Sequence, residues 1–117
     1  MGRFAQAKKR GSDRLATAVV SYPAPTATDW TLTQPNPAVH SFRVTILTAP
    51  PGVVSYTFGW SRNGVTQPSP GCANIAFPIN KGGLATADVI QALVQWATCP
   101  GSTPISPESP TKNLVLT

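Results

Sequence analysis

Charged residues make up only 11% of this 117-residue chain, against about 25% in ordinary soluble domains. The four carboxylates, Asp13, Asp29, Asp88 and Glu108, lie far apart in sequence. Nothing local therefore builds the paired acid and base that proton-transfer catalysis needs. His40 is the single histidine, and it stands directly before an extended segment, where packing or solvation accounts for it. With one histidine and no Cys-x-x-Cys spacing, neither a metal site nor a cofactor is predicted. Cys72 and Cys99 make at most one disulfide, and their spacing suits two buried thiols equally. Apolar runs are short of the roughly 18 residues of a membrane-spanning helix. The basic N-terminus is not followed by the apolar core of a signal peptide, because Thr17 and Ser21 interrupt Leu15 to Tyr22. An enzyme is not the expectation.

What is abundant is proline, with 13 residues, and apolar side chains, at 41%. Many apolar and few charged residues predict a surface that faces other protein more than bulk water, although a Thr/Ser-rich surface would give the same composition. The net charge of +5 is concentrated at one end. Arg3, Lys8, Lys9, Arg10 and Arg14 face only Asp13 within the first 14 residues, while the rest of the chain is nearly neutral. Residues 1–14 thus read as a basic arm and residues 15–117 as one β-rich domain. The arm suits contact with phosphate or an acidic neighbour, and it suits a solvated tail as well. Its grip on nucleic acid would be modest and strongly salt-dependent. Arg43 and Arg62 could join it.

Leu15 to Tyr22 reads as a strand ended by Pro23, and Asp29 to Thr33 as a short strand with Trp30 and Leu32 on one side. Ser41 to Leu47 alternates, with Phe42, Val44 and Ile46 on one face. Val53 to Trp60 alternates too, grouping Val54, Tyr56, Phe58 and Trp60. These two segments, joined by Pro50-Pro51-Gly52, are expected to form a hairpin. Asn63-Gly64 is the strongest short turn signal, since both residues tolerate the positive φ of a type I′ turn. Ala73 to Asn80 is a further expected strand, with Ile75, Phe77 and Ile79 inward. Pro78 marks its edge position or its end. Asn113 to Thr117 closes the chain as a last strand.

One helix is predicted, near residues 86–99. Thr86 is its N-cap, Asp88 suits the dipole in its first turn, and Pro100-Gly101 stops it. Val89, Ile90, Leu93, Val94, Trp96 and Ala97 follow a 3-and-4 spacing, with Asp88, Gln91 and Gln95 opposite. The resulting fold class is α+β, a mostly antiparallel sheet with this amphipathic helix packed on it. Phe42, Val44, Ile46, Tyr56, Phe58, Trp60, Leu93 and Trp96 are the expected core, or a core completed between subunits.

The order Phe77-Pro78-Ile79-Asn80, Lys81-Gly82-Gly83, Ala85-Thr86-Ala87-Asp88-Val89, then Asn113-Leu114-Val115-Leu116-Thr117, resembles a pattern of bacteriophage virion proteins: strand, glycine turn, capped helix, closing strand. Trp96, where that pattern has a small residue, and the longer Pro-rich loop after the helix depart from it. Length, hairpin order and Gly71-Cys72-Ala73 are similar to the coat proteins of single-stranded RNA phages, whose helices cover a partner's sheet. The second C-terminal helix of those proteins is missing. Both resemblances imply a non-enzymatic structural protein of a virus particle: capsid, decoration or tail. Its partners would be copies of itself, other virion proteins and, through the arm, packaged nucleic acid. The competing expectation is a β-rich adhesion or carbohydrate-binding module, which would display Trp30, Trp60 or Trp96 on a flat face.

Overall fold

Residues 89–98 are the middle of the molecule, and they are a strand. The computed structural model of the protein describes residues 22–99 and 101–117. In it, Val89–Thr98 runs as ten extended residues. Among the described residues there is no helix, so the fold is all-β and the α+β expectation is corrected. The reason lies in the pattern itself. Ile90, Ala92, Val94 and Trp96 are all buried, every second residue, while Gln91 and Leu93 point to the other face. Gln91 and Gln95, four apart, satisfy a period of 2 as well as a period of 3.6. Two valines, an isoleucine and a tryptophan in ten positions then favour the pleated form.

In chain order the strands are β1 (Trp30–Thr33), β2 (Phe42–Ile46), β3 (Ser55–Arg62), β4 (Val65–Gln67) and β5 (Cys72–Asn74). They continue with β6 (Ile79–Lys81), β7 (Val89–Thr98), β8 (Thr103–Pro104) and β9 (Lys112–Val115). Two antiparallel sheets result. In the larger, β3 and β7 pair from Tyr56 with Trp96 to Arg62 with Ile90. The other edge of β3 takes β5 at Ser55–Thr57 and β4 at Trp60–Arg62. The other edge of β7 takes β9 at one end and β8 at the other. The smaller sheet has the order β1, β2, β6.

The hairpin expected between residues 41–47 and 53–60 does not form. β2 pairs instead with β1 and β6, and 47–54 carries the chain from one sheet to the other. The segment 73–80 also divides, giving β5 to the larger sheet and β6 to the smaller. Phe77, in the turn between, is 65% exposed rather than inward. Pro78 stands directly before β6, an edge strand. Val54 likewise lies outside the core at 64% exposure, and Val53 is buried in its place. The Asn63-Gly64 turn has positive φ at both residues, 51° and 83°, as type I′ geometry requires. The expected strand at residues 15–22 lies outside the described residues except for Tyr22.

Apolar side chains from both sheets meet between them. Trp30, Phe42 and Val44 come from the smaller sheet, and Tyr56, Phe58, Trp60, Ile90, Val94 and Trp96 from the larger. Phe42 packs edge-on against Phe58 at 6.0 Å and Trp60 at 5.0 Å. Each such large side chain stabilises the fold by roughly 1.5–3 kcal/mol through burial. Ile46 packs at the margin of this core. Leu93, an expected core residue, is only half-buried on the outer face, because its odd position turns it away. Lys112 of β9 closes one flank, donating from Nζ to the Trp30 carbonyl at 2.5 Å. The same ammonium lies 4.9 Å from the Trp30 ring centroid, within cation–π range.

Between β8 and β9 the chain follows the edge of β7 without forming a regular strand. The backbone N–H groups of Ile105 and Ser109 donate to the carbonyls of Trp96 and Val94. In return the Trp96 N–H donates to Ser106 Oγ at 3.0 Å, and the Val94 N–H to Ser109 Oγ at 2.8 Å. Each serine hydroxyl then donates to the carbonyl of the proline that follows it. Serine side chains thus stand where a neighbouring strand would present carbonyls.

Candidate functional site

The residues expected to make contacts fall into three groups. Arg3, Lys8, Lys9, Arg10 and Arg14 lie outside the described residues. Arg43, on the outer face of the smaller sheet, donates from Nε to Asn80 Oδ1 at 2.8 Å. Arg62, at the end of β3, is held by Asp88, with Nη2 and Nε each 2.7 Å from Oδ2. The two arginines sit on different sheets, each hydrogen-bonded to a neighbouring side chain.

Asp88 does not open a helix. It closes a turn before β7, accepting at Oδ1 from Asn63 Nδ2 and at Oδ2 from the Ala85 backbone N–H. Asn63 Oδ1 accepts in turn from the Val89 N–H at 2.8 Å. The Asn63 amide, the Ala85 N–H and Arg62 together hold the Asp88 carboxyl below its usual range, against the opposing effect of desolvation. Thr86, the expected N-cap, instead meets His40 Nε2 at 2.9 Å. These contacts lock the β3–β4 turn to the start of β7. They are structural, since every polar atom of the Asp88 carboxylate already has a protein donor.

Cys72 and Cys99 are joined as a disulfide, with Cα atoms 5.9 Å apart. The bond ties β5 to the end of β7. Burial pushes the Tyr56 phenol up to about 12, partly offset by a backbone hydrogen bond. Its hydroxyl donates to the Phe77 carbonyl at 2.7 Å, so it anchors the exposed Phe77 turn and is not poised for proton transfer. Among the described residues, no three His, Cys, Asp or Glu side chains converge on a common point.

The surface carries apolar side chains at both ends of the larger sheet. At the Arg62 end the outer face carries the cross-strand pair Val89 and Val115, at 41% and 57% exposed, while Val65, 63% exposed, lies on the opposite face in register with Arg62 and Ile90. At the opposite end are Val54 and Phe77, brought together by β5, where Ile75 N–H donates to the Val54 carbonyl. The eight residues of β3 separate the two groups, a span of about 27 Å at the rise of an antiparallel strand. Sequence alternation could not flag Val54 and Phe77, because it ranks them with the core, and helical spacing does the same for Val89. All three tryptophans are buried, at 0% for Trp30 and Trp96 and 8% for Trp60. No flat face of exposed tryptophan exists for sugar stacking.

Comparison with protein-family models, with curated proteins and with solved structures gave no match. The capped helix on which the likeness to phage virion proteins rests is here a turn and a strand. The helix that would cover a partner's sheet in an RNA-phage coat is absent from the described residues for the same reason.

Proposed function

We propose that the chain is a non-enzymatic structural subunit that packs against copies of itself or other subunits of a particle, a virus particle being the setting its composition suits. The observation that carries this is the exposed apolar side chains at opposite ends of one sheet, the cross-strand pair Val89 and Val115 at one and Val54 and Phe77 at the other. Different patches at two ends of a subunit favour head-to-tail contact, which generates rings or larger arrays rather than a closed two-fold dimer. The low charge content agrees, since interface cores are depleted of charge. The disulfide agrees too, because such bonds persist in oxidising surroundings, including the surfaces of virions and cells. The basic arm of residues 1–14 adds a salt-dependent attraction to an acidic neighbour or to packaged nucleic acid.

The test is to purify the full chain, separate it by size exclusion and view the large fractions by negative-stain microscopy, reading nucleic-acid absorbance across the peak. Multi-subunit species are expected, with nucleic acid retained at low salt and lost at high salt. A monomer that stays monomeric at high concentration and low salt would overturn the proposal.

A further inference from the structure

Midway between the two apolar ends, the outer face of the larger sheet is hollowed. Two adjoining depressions of about 260 and 280 Å³ share Gly59, Leu93 and Glu108 in their linings, so they form one trough. Gly59 makes the trough, because it places no side chain in the middle of β3. A Cβ there would meet nothing nearer than Leu93 Cδ1 at 3.8 Å, so packing does not demand glycine. A glycine inside a strand often marks a bulge, a bend or a place where something approaches the backbone closely, and the β3–β7 register runs through Gly59 without a bulge. The floor is Gly59 and the half-buried Leu93.

The walls decide what could lie there. Gln91 and Gln95 project from β7 on the trough side, four residues and therefore about 13 Å apart. Gln95 donates from Nε2 to the Ser106 carbonyl at 3.0 Å, which fixes that side chain, and Gln91 makes no hydrogen bond among the described residues. Ser61 and Thr66 add hydroxyls at one end, while the Thr57 and Ser69 hydroxyls at the other are already bonded to each other and to the Gly71 and Phe58 carbonyls. Glu108, from the serine-proline segment along β7, is the single charged residue in either lining. An anionic ligand would find no cation and one carboxylate. A wholly apolar ligand would rest on Leu93 and Pro104 but would strand the Gln91 amide and the Ser61 and Thr66 hydroxyls, which have no partner among the described residues. A neutral chain of hydroxyl groups fits both features. Amides and hydroxyls each donate and accept, and the C–H faces of a sugar ring would rest on Leu93 and on the Gly59 backbone.

We propose that this trough binds a neutral oligosaccharide, a few sugar units long, along β3 and β7. The contact uses hydrogen bonds and an aliphatic floor, and needs no exposed tryptophan. It does not depend on whether the chain assembles.

The experiment is saturation-transfer difference NMR on the full chain, which reads monomers and large assemblies alike. The probes are maltohexaose, cellohexaose, chitohexaose, xylohexaose and mannohexaose, with a heparin hexasaccharide as the anionic comparison. At least one neutral probe is expected to receive saturation. Gln91→Ala with Gln95→Ala, and separately Gly59→Val, should weaken that binding at least tenfold. Glu108→Gln should leave it within about threefold of the parent. Melting temperatures recorded alongside confirm that each variant is folded. The proposal is overturned if no neutral probe receives saturation, or if folded Gln91/Gln95 and Gly59 variants bind as the parent does. It is equally overturned if heparin competes the neutral sugar off through a site that Gly59→Val abolishes.

Discussion

Arg62 and Asp88 meet 2.7 Å apart where the end of β3 reaches the turn before β7, although 26 residues separate them in the chain. The carboxylate is almost wholly screened from solvent, with 9% of its side chain exposed, while the guanidinium is 36% exposed. Asp88 accepts from Asn63 and from the Ala85 backbone as well, so it organises both turns at that end of the sandwich. It also sits beside Ala87, whose φ of 72° costs an alanine roughly 1–2 kcal/mol. The clamp and the hydrogen bond from the Ala87 N–H to the Leu116 carbonyl hold that residue in place.

The Asp88 carboxyl is held below its ordinary value in the folded state, so folding favours the ionised form. Its contribution is present above the unfolded-state value, near 3.9, and is lost as pH falls through the lower folded value. Urea unfolding followed from neutral to acid pH should show stability falling only below about pH 4. Asp88→Asn should destabilise at neutral pH, because either orientation of its amide turns N–H groups toward a donor, the Asn63 amide in one and Arg62 with the Ala85 N–H in the other. It should also flatten the acid limb. An unchanged acid limb in that variant would contradict the clamp.

Reducing the disulfide should weaken the fold by about 3–4 kcal/mol, as expected for closing a loop of this length, given a separation of 27 residues. The comparison is the urea midpoint of the oxidised chain against that of Cys72→Ser with Cys99→Ser. An equal midpoint would mean that β5 is held by its pairing with β3 alone.

Ser109→Ala should cost about 1–3 kcal/mol, because it strands the buried Val94 N–H without an acceptor. Ser106→Ala should do the same at Trp96. The double variant should further leave the edge of β7 open between β8 and β9, seen as faster hydrogen exchange at Val94 and Trp96. Thr111→Ala, at an exposed position of the same segment, should show neither effect.

Substitutions along β7 should follow a period of two. Trp96→Ala should cost about 3–5 kcal/mol and Val94→Ala rather less, whereas Leu93→Gln should change stability by under about 1 kcal/mol. A helix would instead make Leu93 one of the costliest positions, so chemical denaturation of these three variants separates the two folds.

Val89→Lys with Val115→Lys should abolish assembly while leaving the melting temperature within a few degrees of the parent. Val54→Lys at the other end should do likewise, and mixing the two variants should restore contact through the one intact pair of patches. Sedimentation velocity reads all three results. If both variants assemble as the parent does, the apolar ends are not the contact surfaces.

Several local features were legible in the chain. The Asn63-Gly64 turn needs only that both residues accept a positive φ, a property of the residues themselves. Phe42 and Val44 face inward because strict alternation with Arg43 and Thr45 allows no other amphipathic reading. The closing strand and the strand-limiting role of Pro78 were legible for similar reasons, since proline lacks the N–H that a ladder uses. What residues 88–98 become was not local. Gln91 and Gln95 fit either period, and β3 and β9 decide the matter by satisfying the backbone of β7 on both edges. The same holds for β2, whose partners are β1 and the distant β6 rather than the next strand in sequence. The meeting of Cys72 with Cys99, the pairing of Arg62 with Asp88, and the trough between Gly59 and Glu108 all join segments far apart in the chain. By itself, then, the sequence determined the Asn63-Gly64 turn and which residues are apolar enough to be buried. Only the tertiary structure decided which strands pair and which apolar residues stay outside, because pairing and burial are settled by long-range contacts that compete with one another, and no local pattern records the winner.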